Sequence, residues 1–393
     1  MQESINSGRG KDIEMRLYKM ELFKLCHRKL FVIGAGCAVG ILFLFFWIKV
    51  QGEETYLDGI TYQGYQAVQV NRQITDEFKG VLTDEKVEKI IEIYGFPQKV
   101  EKDWWYYQDA NFLNGWVEKY LSDGYYYRWD DYETASCAYP IADTEIGKAA
   151  AVSGKEIVLE YGNGWFIFCE VSEIGFIIGS ILILFGVSIV FANEEQTKML
   201  PLLFTTKEGK AKDIYAKIAA SYTVAAGVWL GIVVLDFLLC GMVYGFDGLN
   251  CIAGTTGLTP NVSIYRPITM LSVGSYLIIT LFRSLFGILL LCSVTIYLSA
   301  RFQSCFHAVV SAALVWIAPI LIFMFAGYFV IGGVIVRIIR STIVYLIYAS
   351  PIYSIMYNAL WDCYRIWKWL AGVSAAGIVF YTIKAYRKYK VAE

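Results

Sequence analysis

Residues 174–240 read IGFIIGSILILFGVSIVFANEEQTKMLPLLFTTKEGKAKDIYAKIAASYTVAAGVWLGIVVLDFLLC: a long apolar run, a charged interruption, and a second long apolar run. A helix needs about 20 apolar residues to cross a hydrocarbon core of about 30 Å. Each flank is long enough to do so. The middle, with the adjacent acids Glu194 and Glu195, five lysines and Pro201 between Phe191 and Ser221, belongs outside the apolar layer. The pattern predicts span, loop, span.

Working outward, the same criterion finds six spans in the 393 residues, at 30–50, 171–192, 214–243, 270–298, 307–331 and 367–386. The composition agrees, at 57% hydrophobic and 18% charged, which is more apolar and less charged than a soluble chain. The first span follows a charged leader (1–29) and has no small-x-small cleavage site behind it, so it does not read as a signal peptide.

Lysine and arginine collect on cytoplasmic flanks. The leader carries seven, Arg9, Lys11, Arg16, Lys19, Lys24, Arg28 and Lys29, and the quoted loop carries five lysines. The tail (387–393) and the last residues of its span hold Lys384, Arg387, Lys388 and Lys390, and the short connection at 299–306 holds Arg301. On the opposite side, 244–269 has only Arg266, while 332–366 has Arg337, Arg340 and Arg365. The expected fold is therefore an all-α polytopic membrane protein with six transmembrane helices and both termini cytoplasmic, multi-pass in the cell membrane.

Residues 51–170 then form an inserted extracytoplasmic domain, acidic by 22 carboxylates to 10 bases and rich in aromatics at 103–108 and 123–133. One helix is legible in it. Thr83 caps, Asp84 and Glu85 fill the first turn, Val87, Ile90, Ile91 and Tyr94 make a stripe, and Gly95 and Pro97 end it. KEIVLEYGNGWFIFCEV, 155–171, reads as strand, turn, strand. A small α+β domain is expected, its aromatics serving as core and interfacial belt or as a surface that grips a ligand.

Site chemistry is sparse. There is no GxxxxGK[ST], GxSxG or HExxH, and only two histidines, His27 and His307, so neither a catalytic residue nor a metal site is expected. Nine cysteines show no CxxC, and Cys137 and Cys251, both on the outer side, are free to pair or not. Inside the spans the reading singles out Asp236 and Arg283, as a buried pair locking spans three and four or as pore residues.

The 193–213 loop is more patterned than a tether needs to be. Leu200, Leu202, Leu203 and Phe204 form an apolar patch, Thr205 and Thr206 are placed to cap a turn, and Gly209-Lys210 interrupts it. The patch is either a docking knob or a strip lying in the lipid interface.

The order F-A-x-E-E-x-T…L-L-x-T-T-K-x-G-K…Y-A-K-I-A-A resembles the intracellular loop of ABC-2 type transporter permeases, above all bacterial ones with a large external loop between the first two spans. Gln196-Thr197 stands where many members have Gly-Thr. The resemblance implies an interfacial amphipathic helix at 12–28 and a coupling element comprising Glu194, Glu195, Leu202, Leu203, Phe204, Thr205, Gly209 and Lys210 that docks on a separate cytoplasmic ATPase subunit. It also implies a second permease copy or sister to complete the path, and a short external re-entrant segment around Pro351 in YASPIY, 348–353. ATP and Mg would belong to the partner, with no cofactor in this chain and no nucleic-acid partner. The competing reading is a membrane-anchored ligand-binding or sensory protein that uses the aromatic-rich domain.

Overall fold

A computed structural model of the chain describes residues 2–99, 107–123, 125–128, 131–133, 135–199, 205, 211–259, 266–328, 344 and 347–390. Six helices among them are long and apolar enough to cross a membrane. In chain order, α1 (Gln2–Cys26) leads into the first of the six, α2 (Lys29–Gln51). The others are α7 (Asn163–Val187) continued by α8 (Ile189–Gln196), α9 (Lys212–Tyr244), α10 (Val273–Arg301), α11 (Cys305–Tyr328) and α14 (Trp367–Lys390). Their bounds fall close to those expected from hydropathy, with one correction. Residues 163–171, expected as the second strand of a hairpin, are the opening turns of α7. A short apolar run carries no period that separates strand from helix, and here it joins a longer apolar run without a break.

The chain divides into two compact units, one of Met1–Leu42, Ser172–Val234 and Thr280–Glu393, the other of Phe43–Val171 and Leu235–Ile279. In the first, α7 packs through glycines. A methyl group at Gly175 would lie 2.5 Å from Ile232 Cγ2, and one at Gly179 would lie 2.8 Å from Ile232 Cδ1 and 2.9 Å from Val228 Cγ1. Four residues apart on one face, the pair forms the small-xxx-small notch that lets apolar helices approach closely. On the α2 side Gly34 meets Leu182, Gly186 meets Phe31 and Gly175 meets Leu42, so α2 and α7 run antiparallel.

The second unit holds four short helices and four two-stranded antiparallel pairs among its described residues. The strands β1 (Glu54–Leu57) and β2 (Ile60–Gln63) are joined by Asp58-Gly59, both at positive φ (53° and 81°), the two-residue turn that suits a twisted hairpin. The helix α4 (Asp84–Tyr94) forms as its sequence predicts: the Thr83 side chain accepts from Lys86 N, and Gly95 at φ 62° ends it. Val87 and Ile90 are buried, and Ile91 and Tyr94 pack at the edge of the same core. That core also takes Leu113 and Trp116 from α5 (Phe112–Leu121), where Asn111 and Asn114 make a reciprocal cap, and Ile146 from α6 (Glu145–Ser153). Ile252, from the stretch expected to be only a loop, and Met270, expected to open the fourth span but lying ahead of the helix that starts at Val273, complete it.

Glu53 marks a buried polar node in this unit. Its Oε1 accepts from Asn163 Nδ2 at 2.8 Å and from Tyr244 OH at 3.0 Å, so one carboxylate, two residues past α2, joins the exit of that helix, the start of α7 and the end of α9. Burial lifts its pKa above the usual carboxylate range, against the pull of the Tyr244 and Asn163 donors and of Lys49.

Candidate functional site

Both ends of the charged loop are tied to helices of the first unit through one buried cluster. The apolar run ends with α8, whose last turns carry Glu194 and Glu195. The next helix, α9, opens with Asp213 and Lys217, spaced four apart on one face, where an acid preceding a base is the favoured order. Lys217 is 1% exposed. Its ammonium pairs with Asp213 Oδ2 of its own helix and with Glu194 Oε1 of α8 at 2.8 Å. Tyr389, in the last turn of α14, donates its hydroxyl to the other oxygen of Glu194. Two carboxylates, one ammonium and one phenol therefore join α8, α9 and α14.

A second layer fixes the same end. The Phe191 ring meets that of Tyr389 at 4.4 Å between centroids. Ser299 of α10 accepts from Phe191 N and Ala192 N at 3.0 and 3.2 Å, and Gln196 Oε1 accepts from Cys305 N of α11 at 3.2 Å. Beyond α8 the chain turns through Lys198 at φ 57°. Lys198 N donates to Glu195 O and Met199 N to Glu194 O, the paired bonds of a Schellman cap, here with lysine where glycine is usual.

Among the described residues of the expected coupling set, Glu194 is engaged in this cluster and Glu195 beside it is half-buried. Thr205 is exposed. Leu202, Leu203, Phe204, Gly209 and Lys210 lie outside the described residues, as do Arg337 and Arg340. The sequence reading missed Asp213, Lys217 and Tyr389. The i, i+4 acid–base pair was there to be seen, but Tyr389, far along the chain, offered no local signal.

The charges within the long apolar helices fall as follows. Asp236 is fully buried in α9. Arg283, 4% exposed in α10, donates from Nη2 to Tyr353 O at 3.1 Å. α7 also carries acids: Glu170, brought into the helix by its start at Asn163 and paired with Lys49 at 2.7 Å, and Glu173, inside the span as expected, whose Oε2 accepts from Tyr357 N at 3.2 Å. Pro351 begins a short helix rather than breaking one, since the first helical turn has no use for the missing N–H. Cys137 is exposed and Cys251 buried, both as free thiols, and burial pushes the Cys251 pKa up to about 12. Among the described residues no group of three or more His, Cys, Asp or Glu is placed to hold a metal ion.

Comparisons with known protein families, curated proteins and solved structures return no match to this chain.

Proposed function

We propose that the chain is the membrane-spanning permease subunit of an ATP-driven ABC transporter of the ABC-2 type, working as an exporter. In this reading the six helices span the cell membrane with both termini cytoplasmic, and residues 51–170 form a small α+β domain outside. The 193–213 loop docks on a separate cytoplasmic ATPase subunit that binds ATP and Mg, and a second permease copy or related sister completes the path.

The observation that carries the reading is the Glu194–Lys217–Asp213–Tyr389 cluster. A passive tether between two spans does not require a buried charge network at its roots. A loop that must convert a push into span movement does, because a slack joint would absorb the stroke. With Lys217 ion-paired across the loop and Tyr389 bonded to Glu194, displacement of the loop loads α8, α9 and α14 together. Leu202, Leu203 and Phe204 supply the apolar surface for the partner's cleft.

Purification in mild detergent tests the proposal. An ATPase subunit should accompany the chain, and Leu203→Asp or Phe204→Asp should release it and abolish transport. A chain that purifies alone, or both variants keeping transport and ATPase, overturns the reading and favours the ligand-binding alternative. Impermeant thiol labelling of intact cells should reach cysteines placed at 110 and 255 and miss those at 208 and 390; labelling at 208 reverses the orientation.

A further inference from the structure

Arg283 and Glu173, carried by two different apolar helices, reach the same stretch of main chain. Residues 347–366 make two five-residue helical turns, α12 (Pro351–Ile355) and α13 (Ala359–Cys363), then a 3-10 turn at Tyr364–Ile366. In a small core Tyr348 and Ala349 pack with Ala359 and Cys363 of the same stretch and with Leu370 of α14. Tyr348 OH also donates to Asp362 Oδ2 at 2.9 Å, joining the two halves of the stretch.

So short a helix leaves most of its terminal N–H and C=O groups without partners of its own. Two main-chain groups are satisfied by charged side chains from outside: Tyr353 O of α12 by the Arg283 guanidinium, and Tyr357 N, in the link between the two turns, by the Glu173 carboxylate. One turn along from Arg283, Gly287 provides the seat. A methyl group there would lie 2.7 Å from Ser354 Cβ and 2.9 Å from Pro351 O. Phe323 of α11 closes on Tyr353 with ring centroids 5.7 Å apart.

The depth of this contact gives it meaning. At about 1.5 Å per residue, Arg283 and Gly287 stand about 27 and 21 Å from the Arg301 end of α10. In a hydrocarbon core of about 30 Å measured from Arg301, the Gly287 seat falls within the apolar thickness and Arg283 close to its far edge. Irregular backbone is tolerated there only where protein groups satisfy it.

We propose that residues 347–366 are a releasable latch, held by the main chain through Arg283 and Glu173 and seated at Gly287, whose undocking opens the helix bundle between α7, α10 and α11. Both are positioning residues. Because the polar holds on the latch grip its main chain, and Tyr348, Ala349, Ala359 and Cys363 pack within it, it can leave as a unit without unfolding, giving up its contact with Leu370. This inference does not depend on what drives the molecule.

Cys363, 1% exposed inside the latch, and Cys292, fully buried in α10, are built-in reporters. The full chain in native membranes is treated with N-ethylmaleimide, and labelling at each cysteine is read by peptide mass spectrometry. Arg283→Gln and Glu173→Gln should each speed Cys363 labelling about tenfold or more, the scale of losing a charge-assisted hydrogen bond, while Cys292 stays protected. Arg283→Lys, which keeps the donor, should stay near the parent. Gly287→Ala, which leaves every charge in place, should speed Cys363 as well. Unchanged Cys363 labelling in all three disruptive variants overturns the proposal. So does a parallel rise at Cys292, because the residues would then hold the bundle as a whole, or an Arg283→Lys variant indistinguishable from Arg283→Gln.

Discussion

Replacing Lys217 by methionine is the sharpest test of the buried cluster. Methionine keeps the length and apolar stem of the side chain and removes the charge. In place, the ammonium faces Glu194 at 2.8 Å and Asp213 beside it. At an effective dielectric of about 20, the first pair alone is worth about 6 kcal/mol of gross attraction. Most of that is offset by desolvation, which costs several kcal/mol per buried ion, so the intact cluster contributes little net. Deletion is different, because Asp213, 5% exposed, and Glu194 are left as like charges with no counter-ion between them. The expected loss is about 3–5 kcal/mol, or on the order of 10 °C in the unfolding midpoint. Adding Glu194→Gln and Asp213→Asn to Lys217→Met should return most of it, since three neutral groups of similar shape remain. The assay is thermal unfolding of the purified full-length chain in detergent, with the single, double and triple variants arranged as a cycle. A Lys217→Met protein within about 1 kcal/mol of the parent, or a triple variant no better than the single, refutes the reasoning.

Three further outcomes are expected. Gly175→Ala should destabilise by about 1–3 kcal/mol, because its methyl group meets Ile232 Cγ2 at 2.5 Å, and Ile232→Ala in the same chain should recover part of it; strict additivity in the unfolding midpoints would count against the notch. Lys198→Gly should stabilise by up to about 1 kcal/mol, since it relieves a left-handed residue at φ 57°, and a loss in the same assay would mean that the lysine side chain holds the turn. Glu53 has a raised pKa in the fold, so the folded chain binds the extra proton and this residue's contribution to stability falls as pH rises from the usual carboxylate range through its raised value. Glu53→Gln keeps an acceptor for Tyr244 and Asn163, so its advantage in midpoint over the parent should widen with rising pH across that window; a gap that narrows contradicts the burial argument.

What the sequence disclosed and what it hid follow from the range of the interactions involved. The positions of the long apolar helices were legible because hydropathy is a local property summed over about 20 residues. The helix at Asp84–Tyr94 was legible because cap, stripe and terminator lie within 15 residues. The Gly175–Gly179 notch and the Asp58-Gly59 turn carried short signals that went unread. The partners of Glu194 were divided: Lys217 is near in sequence, whereas Tyr389 is 195 residues away and is brought in only by helix packing. Arg283 stood out as a charge in an apolar helix, but its partner is a carbonyl oxygen, and main-chain acceptors leave no trace in residue letters. Glu173 lay within the second span expected at 171–192, close to its start, and was passed over; its partner, Tyr357 N, is again a main-chain group.

The second compact unit is assembled from Phe43–Val171 and Leu235–Ile279, and this has a consequence for biosynthesis. When the ribosome has delivered Val171, the core around Ile90, Leu113 and Trp116 still lacks Ile252 and Met270. Before those two arrive, α7, α8 and α9 must be made and housed. At about 5–20 residues per second the wait is roughly 5 to 20 seconds. For that interval the nascent domain is open on one side, and quality-control proteases and holding chaperones have their chance at it. Completion of the core thereby becomes a checkpoint, since a chain in which α9 is delayed or misplaced presents an unfinished apolar face.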